Sequence, residues 1–112
     1  MINRVQLIGR IGEEPKHIVT VNGSEITEFS FATSERYKDQ EETEWHRVKM
    51  FGPLAAFMHN QAFKGQLLYL EGKIHYSSWD DRDGNKRYST EIICSTVKIL
   101  EWKEKNNPWP SH

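Results

Sequence analysis

Thr43-Glu44-Trp45-His46-Arg47-Val48-Lys49-Met50-Phe51-Gly52 decides how the rest of this chain is read. As a β-strand its side chains alternate between two faces, because successive Cβ atoms point to opposite sides of the pleat. Trp45, Arg47, Lys49 and Phe51 then share one face, and His46, Val48 and Met50 share the other. The first set is mixed. In a dry interior its Arg and Lys would need partners, and a plain solvent face has little use for two large aromatics. Two readings fit. Rings that stack on bases, beside cations that meet phosphates, are what a single-stranded nucleic-acid surface needs. Alternatively, Trp and Phe cap the edge of the core while Arg and Lys snorkel outward.

Upstream, Val5, Leu7, Gly9 and Ile11 alternate with Arg4, Gln6, Ile8 and Arg10 across residues 3–11, a half-buried strand with a basic outer face. Glu14-Pro15 interrupts it, and residues 16–21 resume extended structure. Asn22-Gly23 predicts a hairpin, since both residues tolerate positive φ. Residues 25–33 form the next strand, with Phe29 and Phe31 on its core face, and residues 35–42 read as a short polar loop holding Arg36, Tyr37 and Lys38 among acids.

Downstream, Gly52-Pro53 opens a helix, because Pro suits the first helical position. Leu54, Phe57, Met58 and Ala62 make its apolar stripe, and Gly65 is its expected stop. Residues 67–79 form a long strand in which Tyr69, Glu71, Lys73, His75, Ser77 and Trp79 share a face and Gly72 marks a bulge or bend. Asp83-Gly84 turns the chain, residues 87–94 return, and residues 97–102 close the ordered part, with Trp102 over the base. Five strands, hairpin turns and one short helix between strands 3 and 4 predict an all-β fold, a five-stranded Greek-key barrel of the OB-fold pattern.

Composition bounds the rest. The 112 residues suit one domain, residues 1–103, followed by a short disordered tail, residues 104–112, that holds Pro108, Trp109 and Pro110. Cys94 is the one cysteine, which excludes an intrachain disulfide and suits a reducing compartment. No long uncharged apolar run or signal-peptide pattern is present, so a soluble, non-exported protein without membrane contact is expected. The formal net charge is −1, so any nucleic-acid site must come from local clustering of the 15 Lys and Arg residues. Catalysis finds little support: the five His are scattered without metal-ligand spacing, and no phosphate loop, nucleophile elbow or paired-carboxylate motif occurs. No cofactor or metal is expected. Asp80, Asp81 and Asp83 beside Gly84 lack the downstream Glu of a calcium loop and read as a solvated turn.

Residues 3–12 (Asn-Arg-Val-Gln-Leu-Ile-Gly-Arg-Ile-Gly), Phe31-Ala32-Thr33-Ser34-Glu35, Thr43-Glu44-Trp45-His46-Arg47, the segment 65–72, and Asp83-Gly84-Asn85-Lys86-Arg87-Tyr88-Ser89-Thr90-Glu91 together resemble the bacterial single-stranded DNA-binding protein family, in register over about residues 2–102. The resemblance implies an OB-fold that assembles, usually as a homotetramer, and holds single-stranded DNA without sequence preference in replication, recombination and repair. It implies a cytoplasmic, nucleoid-associated protein that is not an enzyme. The family's stacking aromatics fall on Tyr37, Trp45, Phe51 and Trp79, with Arg47, Lys49 and Lys73 as cations on the same faces, and His46 falls at a subunit contact.

Departures from the family pattern carry information. The segment 35–42 is shorter and more acidic than the family's basic loop, and His75, Tyr76, Ser77 and Ser78 stand where Arg and Lys cluster. Pro53 replaces a lysine; Lys49 and Lys73 are the candidate compensations. The long tail with an acidic, apolar tip is missing, through truncation or by nature, so tail-mediated replication and repair partners are not expected. The second reading is an OB-fold replication accessory protein acting mainly through protein partners with weak nucleic-acid binding.

Overall fold

The chain, described here over residues 1–102 by a computed structural model, forms β1 (Val5–Ile11), β2 (Lys16–Val19), β3 (Glu25–Tyr37), β4 (Gln40–Phe51), α1 (Gly52–Gln61), β5 (Leu67–Asp80) and β6 (Lys86–Ile99). β4 has the two-sided character that its alternation dictates: Val48 and Met50 are buried, while Trp45 and Phe51 are exposed. β3 runs antiparallel beside it, with Phe29 opposite Val48 and Phe31 opposite His46. The sheet order is β1-β5-β6-β4-β3-β2, and β1 also pairs with β3. Five strands therefore close into a barrel, and β2 rides outside on β3. Both closing seams are short. β1 meets β3 at Arg10↔Ala32 and Ile11↔Phe31, and β4 meets β6 in parallel at Val48↔Ile92 and Lys49↔Ile93.

The core draws on every barrel strand: Ile11, Phe29, Phe31, Val48, Met50, Leu68, Leu70, Ile92 and Cys94 are buried together with Ala55, Met58 and Ala62 of the helix side. Each large side chain among them contributes about 1.5–3 kcal/mol by leaving water. The helix is fixed polarly as well, since the buried Thr27 hydroxyl donates to the Ala55 carbonyl at 2.7 Å. β2 leans on the same helix through His17, whose ring stacks on His59 with centroids 3.9 Å apart.

The architecture is the expected barrel with one helix between its third and fourth strands, and several local readings change. Residues 35–42 are not a loop. β3 continues to Tyr37 and β4 starts at Gln40, joined by Lys38 and Asp39 with φ of 50° and 67°. Positive φ at both central residues is the tight hairpin turn whose twist matches paired strands, and Ser34 and Thr43 join hydroxyls across the ribbon at 3.0 Å. Of Asn22-Gly23 only Gly23 takes positive φ, in a turn closed by the Gly23 N–H on the Thr20 carbonyl.

The helix stops at Gln61, with Ala62 as its extended cap; Gly65, at φ 90°, lies beyond and donates its N–H to the Ile11 carbonyl. Phe57 is exposed, and the buried stripe is Ala55, Met58 and Ala62, at helical spacing of three and four. Residues 87–94 and 97–102 are not two strands: β6 runs unbroken from Lys86 to Ile99, and the register shift at Glu71/Gly72 leaves Ser95 as the extra residue of a bulge. Trp102 is half-buried. The expected boundary at residue 103 and the tail, with Trp109, lie outside the described residues.

The β1–β3 seam depends on close backbone approach. A Cβ at Gly9 would stand 2.1 Å from the Ala32 carbonyl oxygen. Gly9→Ala should therefore push β1 off β3 and destabilise the domain by about 1–3 kcal/mol, the usual cost of overpacking. Urea unfolding of the variant checks this; a midpoint equal to wild type would show that the seam yields freely.

Candidate nucleic-acid interface

Strand register builds the outer surface. On β3–β4, Glu28 stands opposite Lys49, Ser30 opposite Arg47, Ala32 opposite Trp45 and Ile26 opposite Phe51, all on the face turned away from Phe29, Val48 and Met50. Across the β4–β6 seam Lys49 lies beside Ile93. β6 in turn sets Ile93, Glu91, Ser89 and Arg87 against Lys73, His75, Ser77 and Trp79 of β5. One outer face thus joins Trp45, Arg47, Lys49, Phe51, Lys73 and Trp79. Its three rings remain substantially open, at 64% for Trp45, 48% for Phe51 and 50% for Trp79. None of the three rings is buried in the core.

Trp45 is nevertheless held. A Cβ on Gly12 would fall 2.4 Å from the Trp45 six-membered ring, so the indole lies directly over that glycine with Ser30 alongside. An indole braced by backbone on one side and open on the other loses little freedom when a base stacks on it.

Tyr37 belongs elsewhere. It is exposed at the ribbon tip, opposite Gln40, and the alternation sets it on the ribbon face opposite to Trp45. The Lys38 ammonium sits 5.3 Å from its ring centroid, within cation–π range. His46 also faces away from Trp45. It is half-buried, its Nε2 lies 2.8 Å from the Thr33 hydroxyl, and it lines a cleft of about 290 Å³ with Val5, Leu7, Ile74 and Ile92.

The cations differ in how free they are. Among the described residues Arg47 and Lys73 form no ion pair. Lys73 is exposed and shares a groove of about 440 Å³ with Arg4, whose guanidinium lies 3.6 Å from Glu71. Lys49 is half-buried, with its ammonium 3.0 Å from Glu91 and 3.9 Å from Glu28. Glu91 also accepts a hydrogen bond from the Ser77 hydroxyl at 3.3 Å.

Burial alone would push the Glu91 carboxyl up. The Lys49 hydrogen bond and charge, the Ser77 hydroxyl and the charge of His75 outweigh it and hold the carboxyl below its ordinary value. At the far turn the Asn85 N–H above all, with the Arg87 side chain and the Asp83 N–H, holds Asp81 low. Its two oxygens are occupied by these donors. The Cys94 thiol is pushed up to about 11, chiefly by burial, and stays protonated at neutral pH.

Two aromatics escape a reading that follows only the Trp79 side of the long hairpin. Tyr76 and Tyr88 are 72% and 73% exposed and lie diagonally on its other face, opposite Thr90 and Ser78. The signal was present as Ile74, Tyr76 and Tyr88 at alternate positions in an otherwise polar hairpin.

Because the folded Glu91 carboxyl titrates below its unfolded value, its contribution to stability is full above the unfolded value of about 4.5. It is lost as pH falls through the lower, folded value. Glu91→Gln should flatten this part of the profile. Urea midpoints measured between pH 7 and pH 3 test it; identical acid profiles for variant and wild type would contradict the assignment.

The model of the single-strand binding protein family matches residues 2–100. The Chlorobaculum tepidum single-stranded DNA-binding protein 1 is 40% identical over 109 residues, 92% of this chain and 67% of that protein. The Xylella fastidiosa single-stranded DNA-binding protein 1 is 38% identical over 112 residues, covering 95% and 82%. The solved Plasmodium falciparum SSB complex with ssDNA contains a chain that superposes with a TM-score of 0.83 at 28% identity, covering 90% of this chain and 96% of that one. The barrel, its open aromatic face and the match along nearly the whole described chain agree: this protein belongs to the single-strand binding protein family.

Proposed function

We propose that this chain binds single-stranded DNA without sequence preference, and that its part in replication, recombination and repair is to cover exposed strands. The observation that carries this reading is the outer face on which Trp45, Phe51 and Trp79 stand open beside Arg47 and Lys73. Every base offers a flat face to a ring, so stacking tolerates any sequence and contributes about 1–3 kcal/mol per base. A duplex keeps its bases stacked inside. The face therefore prefers the single-stranded state, and binding it opens hairpins by mass action. Tyr37, exposed at the ribbon tip on the opposite face, stands apart from this path. The activity is binding, with residues 1–103 as the unit that performs it and catalysis no part of it.

The reading extends to assembly as a homo-oligomer, a tetramer by family likeness, with His46 near a subunit contact. Two features support it. The Val5–Gly9 edge of β1 turned away from β5 has no strand partner among the described residues. Ile8 on the same strand is an exposed apolar residue. An open edge with apolar neighbours is a surface that a second copy of the chain can cover. No helix among the described residues is long and apolar enough to cross a membrane, which suits a cytoplasmic, nucleoid-associated protein.

Two measurements test these statements. Trp45→Ala and Trp79→Ala should each weaken oligothymidine binding by about tenfold to a hundredfold, one lost stack apiece, while thermal midpoints move by only a few degrees. A variant that melts far below wild type yet binds normally while folded would show that its indole is structural. Light scattering at micromolar concentration and neutral pH should give a mass above the monomer; a clean monomer ends the assembly reading.

A further inference from the structure

Lys49 sits in the middle of the candidate strand path, yet its charge is already engaged. Its ammonium lies 3.0 Å from Glu91 and 3.9 Å from Glu28, one acid on each neighbouring strand. The Glu91 side chain is only 11% exposed and its second oxygen is held by the Ser77 hydroxyl. A buried carboxylate of this kind cannot release its partner cheaply, because it would be left charged and unpaired in a poorly solvated place. Next to it a crevice of about 110 Å³ is lined by Glu13, Glu28 and Glu91 against Lys16 and Arg47. With Lys49, three acids there stand among three bases, and the two acids nearest Lys49 are the ones that engage it.

We propose that Glu91 and Glu28 act as an affinity brake: they hold the Lys49 ammonium as their own partner and so remove one phosphate contact from the middle of the strand path. The brake rests on the single-stranded DNA reading above and deepens it. These two acids become determinants of binding strength without touching a base. They also give Lys49 a second role, since the same ion pair crosses the β4–β6 seam. A free lysine at this position would bind phosphate, and a paired one ties the barrel instead. Arg47 and Lys73, unpaired among the described residues, are then the cations that meet the backbone on this face.

The test is the affinity for a short oligothymidine, followed by Trp fluorescence across a salt series, for wild type, Glu91→Gln, Glu28→Gln and the double variant Glu91→Gln/Lys49→Met. Releasing Lys49 adds about one neutralised phosphate, which steepens the log–log salt slope by about 0.7 and tightens binding at low salt by about fivefold. Glu91→Gln should show this change, Glu28→Gln a smaller change of the same sign, and the double variant none of it. Where Glu91→Gln fails to fold, the sign of the Glu28→Gln change decides alone. Unchanged slopes in the single variants, with quenching intact, overturn the brake and leave the DNA reading standing. Absence of quenching in wild type overturns that reading itself and the brake with it.

Discussion

The β4–β6 seam is the constraint on which the rest of this molecule depends. Only Val48↔Ile92 and Lys49↔Ile93 join the two strands, yet without them the sheet would remain open along that side. The seam has an inside and an outside with different physics. Inside, Val48 and Ile92 are buried in the core with Phe29, Met50 and Leu70. Outside, the Lys49–Glu91 ion pair at 3.0 Å crosses the same line. Apolar burial and a shielded charge pair therefore act on one short piece of backbone. The alternation of a single strand supplies both, because consecutive residues must face opposite ways.

That economy has a consequence for the outer face. An ion pair that ties a seam is not available to a ligand, so closure and phosphate binding compete for one lysine. The balance between the two kinds of binding energy shifts accordingly. In the proposed binding mode, stacking on Trp45, Phe51 and Trp79 contributes about 1–3 kcal/mol per base and depends little on salt, whereas each phosphate contact adds a salt-dependent part. With Lys49 engaged and no Arg or Lys at residues 75–78, stacking carries the larger share. The aromatic face is also well prepared for that work, with Trp45 laid over Gly12.

Much of this was legible in the sequence where one face is apolar and the other is not. The period of two in residues 43–52 and the pair Phe29/Phe31 give the strands and the core side directly. Residues 35–42 read as a loop from sequence because both faces of that ribbon are polar, which erases the alternation, while Lys38-Asp39 is a turn pair with no glycine to announce it. Apolarity alone puts Phe57 inside, but the helix turns Ala55 inward and leaves Phe57 exposed. The Trp45 face was visible strand by strand; what joins it is register across β4, β6 and β5. Neither acid that holds Lys49 lies on its own strand, and Glu28 and Glu91 meet it only once the barrel closes. Tyr37 looked like a fourth member of the face because loop residues have no fixed parity; as a strand residue it acquires one, and it is the opposite one.

On the proposed reading this face holds a single strand mainly by stacking, with few free cations. The most direct measurement is the salt dependence of wild-type affinity for an oligothymidine short enough to occupy one protomer, read by Trp quenching. Quenching should be strong and survive high salt, with a log–log slope near −1.4, if Arg47 and Lys73 neutralise about two phosphates at about −0.7 each. Quenching that vanishes with added salt, or a slope several times steeper, would contradict this reading.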